Sequence, residues 1–260
     1  MRELYDSIFK RKSFHLFRDT GVITPGEISG LTAFIKTAKP LDPEISISVQ
    51  IVPESKTTCQ RGAQYCVLFY SEARDGYLQN IGYLGEQIDL YLAANNIGAL
   101  WLGIGKPEQQ QWGGLDFVIM MAIAKMPEDK FRRDMFRAKR KPLREIWFGE
   151  PLAIADIVRF APSACNTQPW IIENTGGTLS VYRYRKPGRR GIMPAGKVVY
   201  YNRIDMGILL CFLEICLCRS GVWFKRTLCQ DDGGNDEKTL AAALHEALMG
   251  FFKPCFKVQP

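Results

Sequence analysis

Residues 161–170 read APSACNTQPW, between LAIADIVRFA (residues 152–161) and PWIIENTGGTLSVYRYR (residues 169–185). The first flank has the apolar spacing of a helix. Pro162 ends it, because the residue before a proline is pushed out of the α region. Residues 163–166 then form a turn with short side chains and free backbone donors. Gln168 adds an amide, and Trp170 closes the segment with a flat apolar ring. The second flank has two strand-like runs joined at Asn174, Thr175, Gly176 and Gly177, which is a hairpin signal. A loop of this kind suits a planar ligand that carries ring nitrogens and carbonyls.

The rest of the chain alternates helix and strand patterns. Residues 3–12 read as helix, and Pro25 with Gly26 opens a second one over 25–38. ISISVQIV (residues 45–52) alternates and is rich in β-branched residues, as a strand is. QYCVLFYSE (64–72) and LDFVIMMAIAKM (115–126) are continuous apolar runs that predict buried strands. Helices are expected at 80–97, 151–161 and 204–219, and a short one near 239–250. Helices around a mostly antiparallel sheet give an α+β fold class. GEQIDLYLAANNIGALW (85–101) and DMGILLCFLEICLCRSGVWF (205–224) resemble each other. Each is an apolar helix ending at a glycine that could cap it, Gly98 or Gly221, with Trp101 or Trp223 shortly after. Residues 142–152, with two prolines and Gly149, form the expected join between two halves.

A chain of 260 residues with 47% hydrophobic content suits one large domain or two intimately packed halves. No uninterrupted apolar stretch reaches the roughly 18 residues of a spanning helix. MRELYDSIFKRKSF at the start lacks the apolar centre of a secretory signal, so a cytoplasmic location is expected. The eight cysteines are then expected to be reduced. Cys211, Cys216 and Cys218 lie on an apolar helical run with spacing too wide for a zinc or iron–sulfur loop, so they predict buried thiols and no metal site. Cys165 sits inside the loop that opened this section. The formal charge of +7 is gathered at Arg132 and Arg133, at residues 137–141 and at residues 183–190. No nucleic-acid reading motif accompanies it; most of these runs read as solvated faces, and the run before Pro142 is the one in which an arginine is expected to meet a phosphate.

Other chemistry-bearing motifs fail on spacing. GIGKPE (103–108) lacks the third glycine of a dinucleotide fingerprint, and Gly196 with Lys197 lacks the frame of a P-loop. The two histidines, His15 and His245, make neither a zinc helix nor a hydrolase triad. Few routes to chemistry remain without a cofactor.

Four segments resemble motifs of the FMN-dependent nitroreductase family. LYDSIFKRKSFHLF (4–17) is similar to its opening helix and RRSxRxF motif, matched here by Arg11, Lys12, Ser13, Phe14, His15 and Phe17. NIGYLGEQIDLYLAANNIGALWLG (80–103) is similar to its central helix and GLGxxWLG turn. RAKRKPLREIW (137–147) is similar to its phosphate-reaching basic segment, and APSACNTQPW to its APSxxNxQPW motif. The order departs from the family's pattern, in which that last motif follows RRS closely. The corresponding place here, FIKTAKPLDPE (34–44), lacks the Ser/Asn turn. Ordinary members are homodimers with flavin at the interface. The resemblance therefore implies a fused pseudo-dimer, with a first half over 1–148 and a degenerate second half over 149–260.

The resemblance also implies a site. Arg11 and Ser13 would hold the FMN phosphate or ribityl chain, with Lys12 and His15 where relatives carry further basic residues, and Arg140 as a second phosphate ligand. Pro162, Ser163, Ala164 and Asn166 would line one side of the isoalloxazine, with Gln168 behind them. Leu102, Gly103, Ile104 and Gly105 would pass along the other, and Trp101 and Trp170 would be core. No catalytic side chain is implied. The expected activity is hydride transfer from NADH or NADPH through FMN to a nitroaromatic, a quinone or a similar small-molecule acceptor. A flavin store or sensor, a flavin-fragmenting enzyme and a dehalogenating relative are the alternatives. One FMN per chain and a working monomer follow, with no nucleic-acid or membrane partner.

Overall fold

Apolar runs of two periodicities set the architecture. The computed structural model describes residues 1–184, 190–229, 231 and 238–246. A 3-10 turn at Arg2–Leu4 leads into α1 (Tyr5–Lys10), α2 (Pro25–Thr37), β1 (Ile47–Pro53), β2 (Tyr65–Ser71), α3 (Tyr77–Ala94), β3 (Ile97–Leu102), β4 (Gln111–Trp112) and β5 (Leu115–Lys125). Then come β6 (Trp147–Phe148), α4 (Ala155–Val158), β7 (Trp170–Thr175), β8 (Thr178–Tyr184), α5 (Val198–Arg219), β9 (Phe224–Leu228) and β10 (Lys238–Glu246). Local chemistry explains several boundaries. Thr24 and Glu27 form a reciprocal capping box at the start of α2, with Pro25 at its first position. Gly221, at φ +73°, caps α5 as expected, and the Val222 amide reaches back to the Leu217 carbonyl.

The strands form two five-stranded sheets, not the single central sheet expected. One has the order β1-β2-β5-β3 with β4 beside β5, and the other the order β6-β7-β8-β10-β9. Every pairing is antiparallel except β6 with β7. In each sheet a hairpin (β1-β2 or β7-β8) is followed by a long helix (α3 or α5) and then by an antiparallel pair that docks on the hairpin. The two halves thus share one order of elements. Trp147 and Phe148, just ahead of the expected boundary, already pair in the second sheet. Alternation in β2 sends Val67 and Phe69 into the core shared with both long helices, and Cys66, Leu68 and Tyr70 into a smaller core on the sheet's other face.

The helices α3 and α5 are apolar on nearly every side and buried along most of their length. They cross backbone to backbone. A Cβ at Gly82 would collide with the Ile204 carbonyl, and one at Gly207 with the Gln79 carbonyl. Each glycine meets the residue three before its counterpart, the signature of a local two-fold axis.

Other expectations shift. The helix expected at 151–161 is one α-turn, Ala155–Val158, because Pro151 and Pro162 leave little room between them. The helix expected near 239–250 is strand β10 as far as Glu246, since β8 and β9 need a partner between them; residues 247–250 lie outside the described residues. Gly98 does not cap α3. Asn95 and Asn96 end that helix, Asn96 at φ +56°, and Gly98 belongs to β3, where a Cβ would strike Phe14 and Met126. Cys211 and Cys216 are fully buried on α5. No helix among the described residues is long and apolar enough to cross a membrane.

Gly82→Ala and Gly207→Ala should each cost about 3 kcal/mol or more, because the clash is with backbone and cannot be relieved by a rotamer change. Urea unfolding of each variant and of the double variant tests this. The double variant should lose less than the sum, because both residues separate the same pair of helices.

Candidate functional site

A cleft of about 280 Å³ opens between the two halves. Its first wall is placed by a short ladder. Helix α1 ends at Lys10 because Arg11 is extended (φ −56°, ψ 138°). Ser13 then bridges Ala99 of β3 in parallel, and the Phe14 amide donates to the Ala99 carbonyl at 3.0 Å. The buried Phe14 ring, edge-on to Phe131, anchors the segment. This lays Arg11, Ser13 and His15 beside Trp101, Leu102, Gly103 and Ile104 on one lining surface. Trp101 stacks on Phe69 and donates its indole N–H to Asp89 at 3.0 Å.

The opposite wall is the loop at 162–165. Cys165, Asn166 and Gln168 all have positive φ, at +51°, +55° and +47°, a conformation that costs non-glycine residues energy. Hydrogen bonds hold it. The Gln168 amide donates to Ser163 Oγ at 2.9 Å, and the Lys141 amide donates to Gln168 Oε1 at 2.8 Å. The Ala164 amide donates to Asp205 Oδ1 on α5 at 2.8 Å. Tyr201, one turn earlier, ties the two walls together by donating to the Gly103 carbonyl at 2.7 Å.

Two charge arrangements stand out. Arg11 is buried and forked onto Asp89 (Nε 2.9 Å, Nη2 2.8 Å), with Nη2 also 3.2 Å from Ser13 Oγ. Burial opposes its charge, but Asp89 and Glu86 more than offset that and hold its pKa above the usual value. Glu86 is fully buried, and neither carboxyl oxygen has a hydrogen-bond partner among the described residues. Burial first, and then the charge of Asp89, push its pKa well up. Arg132 and Arg140, by contrast, meet no carboxylate among the described residues. Arg140 reaches Asn166 Oδ1 at 2.9 Å and the Phe160 carbonyl at 3.1 Å, and its Nε is buried without a partner. Burial, then repulsion from Arg11, Arg132 and Arg159, pulls Arg140 down to about 10.

Of the residues expected at the site, Arg11, Ser13, His15, Leu102, Gly103, Ile104, Pro162, Ser163 and Ala164 line the cleft. Others do not. Lys12 turns away to the Lys130 carbonyl and the Phe14 ring. Gly105 packs against Met120. Asn166, Gln168 and Arg140 stand behind the loop, where Asn166 meets Arg140 and Gln168 meets Lys141. Trp170 is core, with no exposure, whereas Trp101 reaches the lining. The sequence reading missed Tyr201, Asp205, Ile192 and Met193, which also line the cleft, and the buried acids Glu86 and Asp89. An acidic residue inside an otherwise apolar helical run was the available signal for Glu86, Asp89 and Asp205.

A family model described as "Putative TM nitroreductase" matches residues 3–216. The chain belongs to this family. Among solved structures it is similar to a "putative nitroreductase" from Thermotoga maritima, with 17% identity and a TM-score of 0.59 over 93% of this chain and 92% of that one. Weaker likenesses are to a "putative nitroreductase in complex with FMN" from Desulfovibrio desulfuricans (16%, TM-score 0.42, 57% of this chain and 97% of that one) and a "Putative NADH Oxidase" from Clostridium acetobutylicum (14%, TM-score 0.40, 56% and 100%). No curated protein sequence matches this chain. The fold is nitroreductase-like, and the family assignment makes the chain a relative of oxidoreductases.

Asp205 yields a test that needs no ligand. It is fully buried, and Oδ2 has no partner among the described residues. Burial pushes its pKa from 3.8 up to about 8, against the pull of the Ala164 hydrogen bond. The folded state therefore keeps a proton that the unfolded chain releases, and stability falls as pH rises from about 4 to about 8. Asp205→Asn should remove that slope and be more stable than the parent by at least about 1 kcal/mol above pH 8. Denaturant unfolding at pH 5 and pH 9 measures it. Parallel losses in both proteins would show that Asp205 does not titrate in this window.

Proposed function

We propose that this chain is an FMN-dependent oxidoreductase that passes hydride from NADH or NADPH to a small electrophilic acceptor, such as a nitroaromatic or a quinone, in a ping-pong cycle. The observation that supports this most is Arg11 on the wall of an apolar cleft, with Arg132 and Arg140 close enough to it to repel its charge. Asp89 answers Arg11, but Arg132 and Arg140 have no carboxylate among the described residues. A phosphate is the anion that forked arginine donors match. Leu102, Ile104, Pro162 and Met193 provide the apolar walls that a flat ring system would occupy. These residues fit a flavin mononucleotide. Bound FMN would supply the redox chemistry.

The protein's own residues supply position and field. The 162–165 loop and the β3 turn bound the ring site from two sides. Asp205, whose pKa burial raises to about 8, adds little negative charge to the cleft wall at pH 7. Ser13 and Arg11 are fixed by the ladder to β3 and by Asp89, so they need little ordering on binding.

The chain is proposed to hold both halves of the family's dimer, residues 1–148 and 149–260, and to work as a monomer with one FMN. The shared order of elements in the two sheets and the reciprocal crossing of α3 and α5 support this. The basic surplus then serves a small phosphate ligand, with no nucleic-acid or membrane partner.

Titration with FMN and with riboflavin tests the proposal. FMN should bind near one per chain and be bleached by NADH or NADPH, with colour returning on addition of a quinone. Arg140→Gln should weaken FMN by about 10- to 100-fold, the loss of a charge-assisted contact, and leave riboflavin unchanged. Equal weakening of both would take Arg140 away from the phosphate. Retained flavin that neither nicotinamide bleaches would make the chain a flavin store or sensor.

A further inference from the structure

The local two-fold axis has a second consequence. Asp205 and Asn80 stand at equivalent positions, each two residues before a crossing glycine. Asp205 Oδ1 accepts the amide of Ala164 at 2.8 Å, and Asn80 Oδ1 accepts the amide of Asp42 at 3.0 Å. The loop at 41–42 is therefore the structural counterpart of the loop at 162–165. Strand pairing extends the match: Leu102 faces Met120 across β3 and β5, as Leu228 faces Ala242 across β9 and β10. A second cavity, of about 360 Å³, lies where this symmetry places it, lined by Leu41, Asp42, Gln79, Leu228, Cys229 and Ala241 among others. It shares no lining residue with the first cleft.

This cavity has different chemistry. Among the described residues no cluster of arginines borders it. Its charged lining among them is Asp42, Asp75 and one arginine, Arg74, whose guanidinium already donates to the Glu44 carbonyl at 3.0 Å and lies 3.7 Å from Glu72. Gln79 is only 5% exposed, and its Oε1 has no hydrogen-bond partner among the described residues. A buried amide oxygen without a donor is an unfilled requirement. The lining thus asks for hydrogen-bond donors and a neutral or cationic charge, and it disfavours phosphate.

We infer that this counterpart cavity is a second ligand site, for a phosphate-free heterocycle that donates N–H groups, with Gln79 Oε1 as its buried acceptor. The inference uses the symmetry of the fold, which also supports the two-half reading, but nothing in it requires flavin in the first cleft. The first cleft and the second have drifted apart in charge while keeping the same scaffold, so they need not serve the same molecule.

Adenine, neutral and rich in N–H donors, is the probe, and calorimetric titration of the full chain is the measurement. Adenine should bind saturably, and AMP more weakly. Adenine should also slow alkylation of Cys229, followed by mass spectrometry. Gln79→Leu should weaken adenine about tenfold, as expected for one lost hydrogen bond to a buried acceptor. Leu228→Trp, at a partly exposed edge position, should block the mouth without touching the core. Both variants should retain FMN as the parent does, whether the parent retains it or not. Absence of saturable adenine binding would overturn the inference. So would AMP binding tighter than adenine, or adenine binding that Gln79→Leu and Leu228→Trp leave intact.

Discussion

The contact on which the rest of the structure depends is the crossing of α3 and α5 at Gly82 and Gly207. A side chain at either position would strike a carbonyl of the facing helix. Without side chains there, the two axes approach closely, and each helix carries its own hairpin and antiparallel pair to the shared core. The residue two before each glycine then faces a loop of its own half. That is how Asp205 comes to hold Ala164, and Asn80 to hold Asp42. Both cavities sit beside these anchors, so the geometry of both follows from one close approach.

On that scaffold the two cavities differ in their charged lining. The first has Arg11 and Arg61 on its wall, with Arg132 and Arg140 close to Arg11. Burial raises the pKa of Asp205 on that wall to about 8 and pushes that of Glu86, beside Asp89, well up. Desolvation is the dominant cause in both, because a carboxylate removed from water with no cation or donor for its second oxygen is cheaper to protonate than to ionise. Asp89, by contrast, accepts from both the Arg11 guanidinium and the Trp101 indole. The cost of the strained loop at 165–168 is offset in part by its hydrogen bonds to Asp205, Lys141 and Arg140. A loop so held is a rigid wall, which a planar ligand needs.

Long elements with one clear period were legible in the residues. The helix at Pro25–Thr37, the strands at Tyr65–Ser71 and Leu115–Lys125 and the hairpin from Trp170 to Tyr184 lie close to where periodicity, capping and turn signals put them. So did the residues of Arg11, Ser13, Leu102 and Pro162 as a group, through motif resemblance. Short or ambiguous segments were not. TLAAALHE serves a helix or a strand equally well, and became β10 because two neighbouring strands lacked a partner. NIGALWL became β3 because the chain at Ser13 and strand β5 both pair with it.

What the residues by themselves determined was the set of parts: apolar helices long enough to form a core, a proline-terminated loop with polar contents, and arginines in excess of local acids. These depend on composition and short-range spacing, which the chain carries before it folds. Tertiary structure alone decided which parts face one another. Lys12 left the site for the Lys130 carbonyl, while Asp205 and Tyr201 entered it from a helix that had read as plain core. The meeting of Gln79 with Gly207, and of Gly82 with Ile204, joins positions far apart in sequence. Only the closing of α3 on α5 brings them within reach, since helix contact and burial, unlike periodicity, belong to no single segment.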